Sequence, residues 1–425
     1  MCEETRCGAR SASTETVVHR TPNNRSKSQS KNASFSEKKD TSGSIVMSRL
    51  KRDSKVVISG YYGFDNCGDE AVLLSIIRCL KKLSPDVHIT VLSGNPDKTS
   101  ALYGVHAINR WNFFQIFRAL LGAHLLISGG GSLIQDVTSV RSPGYYLGVI
   151  RIALLLKKKV MIYAQGIGPL DTHKNRVDTA KVFNRCHTIT VRDEASAKLL
   201  QELGVNPEVK TTCDPVLAMG RDDVSLEIIG DLLLRLGISE TDGKKKNPLL
   251  FVSMRRWKDD RHLAPVAQLL DAQVAAGWDV LLVPAHFPED AETCRLVSGK
   301  METQPYVVDH CLSAEEFFAL TAVSDRVFSM RLHGLICAMA VDTPMVGLSY
   351  DPKVDAFMQQ CGLDAFCLAF DDADLYDKGM DCLRKMPPQQ LDALSCYGKS
   401  LEACRLKLQE LAWSTAKIAV NLVQL

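Results

Sequence analysis

The chain reads as an α/β protein made of two doubly wound, Rossmann-like units. Three observations predict this. Short apolar runs alternate with segments of helical spacing along most of the 425 residues, as successive βαβ units require. The alternation pauses between about residues 215 and 248 and then resumes, dividing the pattern into two halves. Glycine-rich or charged turns follow many of the apolar runs, and ligand crevices in open α/β sheets lie at such strand ends.

The periodic pattern begins at Lys55. Strands are expected over 56–59, 89–92, 125–128, 160–164 and 188–191, and helices over 69–83, 111–121, 145–156 and 194–203. Apolar residues Ala71, Leu74, Ile76, Ile77 and Leu80 give the first helix its stripe. One helix, 225–236, and the polar stretch 241–247 fill the pause. Strands then follow over 249–253, 280–284, 306–308, 326–330 and 345–348. Helices lie over 263–276, 291–299 and 314–323, and one more starts behind Gly334. A last helix, 398 to about 422, packs back across the domain junction. The expected domains are 55–220 and 221–397, with 398–425 as the closing helix. Two such units facing across a cleft match the architecture called GT-B.

Residues 1–54 are rich in Ser, Thr, Asn, Lys and Arg and cannot bury enough apolar surface to fold, so a disordered tail is expected. Residues 1–55 hold 12 Lys or Arg against 6 Asp or Glu, a charge of +6. Taken from the net +2, this leaves −4 for the rest, which gives no argument for nucleic-acid binding. Met47 is an alternative start. The N-terminus lacks an apolar core segment, so no secretory signal is read there. The fourteen cysteines form no CxxC pair and read as reduced thiols of a cytoplasmic protein. The longest apolar stretches, near 119–127 and 152–156, fall short of the roughly 18 residues that a membrane span needs.

The most informative stretch is Ser329-Met330-Arg331-Leu332-His333-Gly334, with Lys353 twenty residues after His333. Arg331 and His333 fall at a strand-to-helix turn, where free N–H groups and the helix dipole favour anions. The next strand delivers Tyr350, Asp351 and Lys353 just past its C-terminal end. Two cations and an imidazole around one crevice suit a small anionic substrate and proton transfer. Separately, each residue has a plainer use: Arg331 and Lys353 solvated, His333 bonded to a buried carbonyl.

The loop Ser59-Gly60-Tyr61-Tyr62-Gly63-Phe64-Asp65-Asn66-Cys67-Gly68-Asp69-Glu70 opens the first helix. Its glycines allow a tight turn, and Asp69 is placed to cap the helix. Tyr61, Tyr62 and Phe64 offer aromatic faces that suit sugar rings better than phosphates. The plainer alternative is a structural turn with a cap. Ser128-Gly129-Gly130-Gly131-Ser132, with Gln135 and Asp136 expected just inside the next helix, permits close approach of another molecule or strand. Gln165-Gly166-Ile167-Gly168-Pro169 repeats the theme. Arg192 either reaches into the cleft or pairs with Asp193 or Glu194. Arg255 would point toward the crevice of Arg331 and His333, and His286 ends another strand. The spacing Gly60-x-x-Gly63 is not the dinucleotide fingerprint, and no P-loop, GxSxG or kinase set is present. No carboxylate–histidine cluster has metal-ligand spacing, so no metal and no cofactor are expected.

Read together, GYYGFDNCGDEAVL, SGGGSLIQD, YAQGIGP, VRDEAS, CDPVL, SMRRW and RLHGLICAMAVDTPMVGLSYDPKV resemble the polysaccharide pyruvyl transferases. The likeness is to the branch that ketalises bacterial cell-wall polysaccharide and covers about residues 55–370. It implies a GT-B-like enzyme that takes a pyruvyl group from phosphoenolpyruvate and forms a ketal on two hydroxyls of a sugar, releasing phosphate. By this resemblance Arg192, His333 and Lys353 fall on positions used for the donor and the chemistry. Arg331 and Arg255 look like further donor contacts. Tyr61, Tyr62, Phe64, Asp65, Asp69, Gly130 and Gln165 fall on the acceptor side, in the first domain, and the second domain takes the donor. Arg256 departs from the pattern, where proline is expected before the tryptophan. The acceptor is a sugar, a polysaccharide precursor or a lipid-linked glycan. The last would bring at most peripheral association with the inner face of the membrane, helped by the basic tail. Two rivals are a GT-B glycosyltransferase with a nucleotide-sugar donor and a catalytically dead glycan-binding scaffold.

Overall fold

The apolar runs of the first half become β1 (Lys55–Ser59), β2 (His88–Ser93), β3 (His106–Asn109), β4 (Leu125–Ser128), β5 (Gly131–Ile134), β6 (Lys159–Ile167), β7 (Thr188–Val191) and β8 (Val209–Thr211). They form a sheet of order β3-β2-β1-β4-β6-β7-β8, with β5 added beside β6. The second half supplies β9 (Leu249–Ser253), β10 (Asp279–Leu282), β11 (Tyr306–Val307), β12 (Arg326–Ser329), β13 (Met345–Ser349) and β14 (Cys367–Ala369), in the order β11-β10-β9-β12-β13-β14. Every pairing is parallel. This computed structural model describes residues 54–137, 139–239, 245–386 and 396–424. The tail expected over 1–54 and the alternative start at Met47 lie outside the described residues, apart from Ser54.

Central strands such as β4, β9 and β13 are buried along their whole length, as expected of a parallel sheet covered on both faces. Strand order reverses between β1 and β4 in one sheet and between β9 and β12 in the other, and a crevice forms at such switch points. The doubly wound architecture expected from the sequence is therefore present twice.

The structure adds elements that the periodicity did not announce. The helix His173–Phe183 is mostly polar and buries only Asn175, Thr179, Val182 and Phe183. Gly131 to Ile134 pair with β6 as a strand, so Gln135 and Asp136 lie in a loop. The expectation that they open a helix is corrected, because the helix starts only at Ser142.

One apolar cluster runs through both halves, joining Ile58 and Ile76 of the first to Phe251, Phe317 and Ile336 of the second. Residues Arg52–Leu425 accordingly form one compact unit. The long helix Cys396–Gln424 lies against the helix Cys67–Leu83, the turn Pro215–Ala218, β6 and the helix Leu332–Ala340. Leu408, Ala412, Ala416 and Ala419 form its buried stripe, and Thr415 Oγ1 meets Thr212 Oγ1 at 2.7 Å. Among the described residues no helix is long and apolar enough to cross a membrane. Because Ala416 is fully buried, Ala416→Leu is expected to overpack this seam and cost about 1–3 kcal/mol, read as a lower urea midpoint with an unchanged slope.

Candidate active site

A cavity of about 550 Å³ lies where the C-terminal ends of the two sheets meet. Its walls are the loop after β1, the segment after β5, Arg192 after β7, the loop after β10 and the turns after β12 and β13. Main-chain bonds join the halves beside it: Cys67 N donates to Ala285 O at 2.7 Å, and Phe287 N to Asp65 O at 3.1 Å. Asn66 and His286 thereby form a short antiparallel bridge.

His333 sits in the first turn of the helix Leu332–Ala340 and lines the cavity. Its Nε2 lies 3.7 Å from Oδ2 of the buried Asp214. Arg192 Nη1 approaches the same oxygen at 3.4 Å, Nη2 approaches Ser132 Oγ at 3.4 Å, and Nε lies 3.6 Å from Asp193 Oδ2. Burial alone would push the Asp214 carboxyl up. His333 first, then Arg192 and the Val216 N–H, outweigh that and hold it below the usual carboxylate range. The imidazole has no room to retreat, because a Cβ at Gly68 would fall 2.1 Å from its Nδ1. The helix behind it has no side-chain cap, so its first N–H groups carry the positive end of the dipole at the cavity wall.

Asp69 also lines the cavity. The expectation that it caps its helix is corrected, because Asn66 accepts from Gly68 N and Asp69 N and takes the N-cap position. The Asp69 carboxylate faces Gly131, where φ is +87° and a Cβ would sit 2.7 Å from Oδ1. Burial raises this carboxyl to about 6, opposed by His333 and reinforced by Glu70 and Asp214.

Arg331 reaches the cavity wall, but its fork closes on Asp290. Nε donates to Oδ2 at 2.8 Å, and Nη2 bonds Oδ1. Asp290 Oδ2 also accepts from His286 N at 2.9 Å and Ala285 N at 3.2 Å, so the pair fixes the loop after β10. Lys353 lines the cavity with Nζ 3.7 Å from Asp351 Oδ2, and Asp351 caps its helix. Arg255 stands one layer back, donating to Tyr350 Oη at 3.0 Å and packing over the Trp257 and Tyr350 rings. Tyr350 is the residue that meets the cavity.

Of the residues expected on the acceptor side, Tyr61 and Asp69 line the cavity and the others do not. Tyr62 is fully buried, with its ring against Gly60 and Gly129. Phe64 stacks on Tyr61 at 4.4 Å and supports it from behind. Asp65 turns away to Lys98 Nζ at 2.6 Å. Gly130 is buried against Val72 and Pro215. Gln165 is fully buried and donates to Ser128 Oγ at 2.7 Å and Gly129 O at 2.8 Å. Its inward turn follows from β6 bulging at Ala164, where φ is 48°. As direct contacts, Tyr62, Phe64, Asp65, Gly130 and Gln165 are therefore corrected to supports of the loops that form the wall.

Asp214 and Asp290 are the site residues that sequence reasoning did not single out. The signal for Asp214 was CDPVL, whose aspartate precedes a proline and caps a short 3-10 turn, accepting from Val216 N at 3.1 Å. Asp290 sits inside a run of acidic residues on the helix Glu289–Ser298 and carried no distinguishing mark. Among the described residues no group of three or more His, Cys, Asp or Glu is arranged to hold a metal ion.

Because Asp290 is buried under the Arg331 fork, Asp290→Asn leaves a guanidinium without its counter-charge. The expected cost is about 3 kcal/mol in urea unfolding, with the loop after β10 losing amide protection first.

Solved structures share this two-unit GT-B-like fold. A UDP-N-acetylglucosamine 2-epimerase, putative in its description, from Listeria monocytogenes matches with a TM-score of 0.56 at 11% identity over 85% of this chain and 94% of its own. The Anabaena HepE protein in complex with UDP-glucose matches at 0.55 and 14% over 86% and 98%. The UDP-GlcNAc 2-epimerase of Neisseria meningitidis matches at 0.53 and 12% over 87% and 99%. At these identities the likeness is one of fold. No curated protein matches the sequence. The family model for polysaccharide pyruvyl transferase matches residues 66–352, which span Asp69, the Arg192–Asp214 pair and the His333 turn, and the chain belongs to the polysaccharide pyruvyl transferase family.

Proposed function

We propose that the protein transfers a pyruvyl group from phosphoenolpyruvate to two hydroxyls of one sugar in a cell-wall or surface polysaccharide precursor. The observation that carries this reading is the convergence of Arg192, His333, Lys353 and an uncapped helix N-terminus on one cavity in a member of this family. The donor is a small molecule with a carboxylate and a phosphate, and these groups can receive both.

Transfer begins with a proton delivered to C3 of the enol ester, which makes C2 electrophilic. We assign that proton to His333, which lines the cavity. One hydroxyl attacks C2, phosphate departs, and the second hydroxyl closes the ketal. Of the two hydroxyl protons, one is balanced by the new methyl at C3 and the other leaves with phosphate. Lys353 and the helix N-terminus receive the phosphate charge as it develops. Arg192 bonds Asp214 at 3.4 Å, and Asp214 Oδ2 stands 3.7 Å from the imidazole Nε2. Asp69 accepts a hydroxyl proton in its ionised form, and Tyr61 offers its ring to the sugar. Arg331 serves by fixing the loop after β10, and Arg255 by steadying Tyr350.

Phosphate release from phosphoenolpyruvate, with and without an amino-sugar acceptor, tests the reading. Release is expected to depend on acceptor. His333→Ala is expected to lower it by about 10²–10⁴-fold while the donor still binds. Nucleotide-sugar binding without any phosphate release would replace the proposal with glycosyl transfer. A second measurement concerns pH. As a raised carboxyl that must be ionised to act, Asp69 is expected to make turnover fall as pH drops through about 6. In Asp69→Asn the rate is expected to be low and this acidic limb gone; an unchanged limb would remove Asp69 from the chemistry.

A further inference from the structure

We propose that the outward face of the helix Phe113–Gly122 docks the protein on an anionic membrane surface beside the cavity. At roughly 100° per residue, Phe113, Phe114, Phe117 and Leu121 fall within an arc of about 100°. All four are exposed, Phe114 by 71%, and Trp111 at the head of the helix by 67%. Ile116 and Leu120, on the neighbouring arc, are buried. The core therefore uses one apolar face of this helix and leaves a second, aromatic one outward. The helix Ser142–Leu155 packs against this one, and Leu155 at its end is exposed, as are Val137 and Val140 on the loop before it.

Charge selects the occupant. Between residues 98 and 170 the chain holds eight Lys or Arg and a single carboxylate, Asp136. Asp136 is buried and accepts from Asp171 N at 2.8 Å and Thr172 N at 3.0 Å, so it presents no charge outward. Arg151 is held by Asp178. Arg118 is exposed on the aromatic helix itself, Arg141 and Lys157 are exposed at the two ends of the helix Ser142–Leu155 that packs against it, and Lys158 Nζ donates to Leu121 O at 2.8 Å. An aromatic patch with a cationic rim fits a bilayer interface: rings lodge at headgroup depth and the rim meets anionic lipid.

The patch adjoins the cavity. The Trp111 ring lies 5.2 Å from Tyr145, and Tyr145 lies 5.1 Å from Tyr146, which lines the cavity with Ser139 and Ser142. A glycan anchored in the same leaflet would meet the cavity mouth without leaving the surface. That consequence rests on the transfer reading; the docking does not.

The test is sedimentation of the full chain with phosphatidylcholine vesicles, with and without about one third phosphatidylglycerol. Wild type is expected to co-sediment with the anionic vesicles, with a blue shift of fluorescence that is absent in Trp111→Phe. The double variant Phe114→Ser, Phe117→Ser is expected to lower partition by about tenfold or more. Arg118→Glu is expected to weaken binding to the anionic vesicles alone. Equal partition of the double variant, or no partition of wild type, overturns the proposal. So does a dimer in sedimentation velocity that the same substitutions dissolve, which would make the face a contact between two copies. Vesicle binding requires no turnover, so this outcome is independent of whether pyruvyl transfer is observed.

Discussion

The site depends on one buried carboxylate. Asp214 stands at the end of the first sheet, and its neighbours come from both halves: Arg192 Nη1 of the first lies 3.4 Å from its Oδ2, and His333 Nε2 of the second 3.7 Å from the same oxygen. A carboxylate at this depth costs several kcal/mol unless it is paired, so neither partner can leave without exposing the others to that cost. The two halves meet at this carboxylate, beside the His333 imidazole. Fold and chemistry share this constraint.

Around that centre the charges divide by environment. Arg331 and Asp290 close on each other and add little net field to the cavity, although Arg331 lines it. Lys353, about one-third exposed, has only a loose ion pair with Asp351 at 3.7 Å. Asp214 and Asp69 are carboxylates pushed in opposite directions, one held ionised by its partners and the other raised by burial. Such separation leaves two neighbouring carboxyls ionising in different ranges.

Much of this was legible from period and punctuation. Apolar runs of strand length gave both sheets, and the turn at Arg331 and His333 lies at a strand end next to a helix start, as its sequence implied. The acceptor-side loop was harder. Tyr61, Tyr62 and Phe64 look alike in sequence, yet the chain turns Tyr62 into the core and leaves Tyr61 at the cavity. Asn66 rather than Asp69 took the cap, since a side chain at that point reaches back to two N–H groups while Asp69 already lies inside the helix. Gln165 was read as an open strand-end residue, but the left-handed turn at Ala164 sends it inward. For Tyr62 and Gln165 the residue types were right for a ligand, and tertiary geometry assigned them to the wall behind it. The reverse holds for Asp214 and Asp290, whose importance arises from partners distant in sequence.

The short bridge between Asn66 and His286 has a consequence for separation of the two halves. It is made of main-chain groups, so no side-chain substitution removes its donors and acceptors, proline aside. Parting the halves like a clamshell would break these main-chain hydrogen bonds together with the shared core. Main-chain hydrogen bonds and apolar burial thus both oppose separation of the two sheets beside the cavity, and no exchange of side chains at Asn66 or His286 relieves the first.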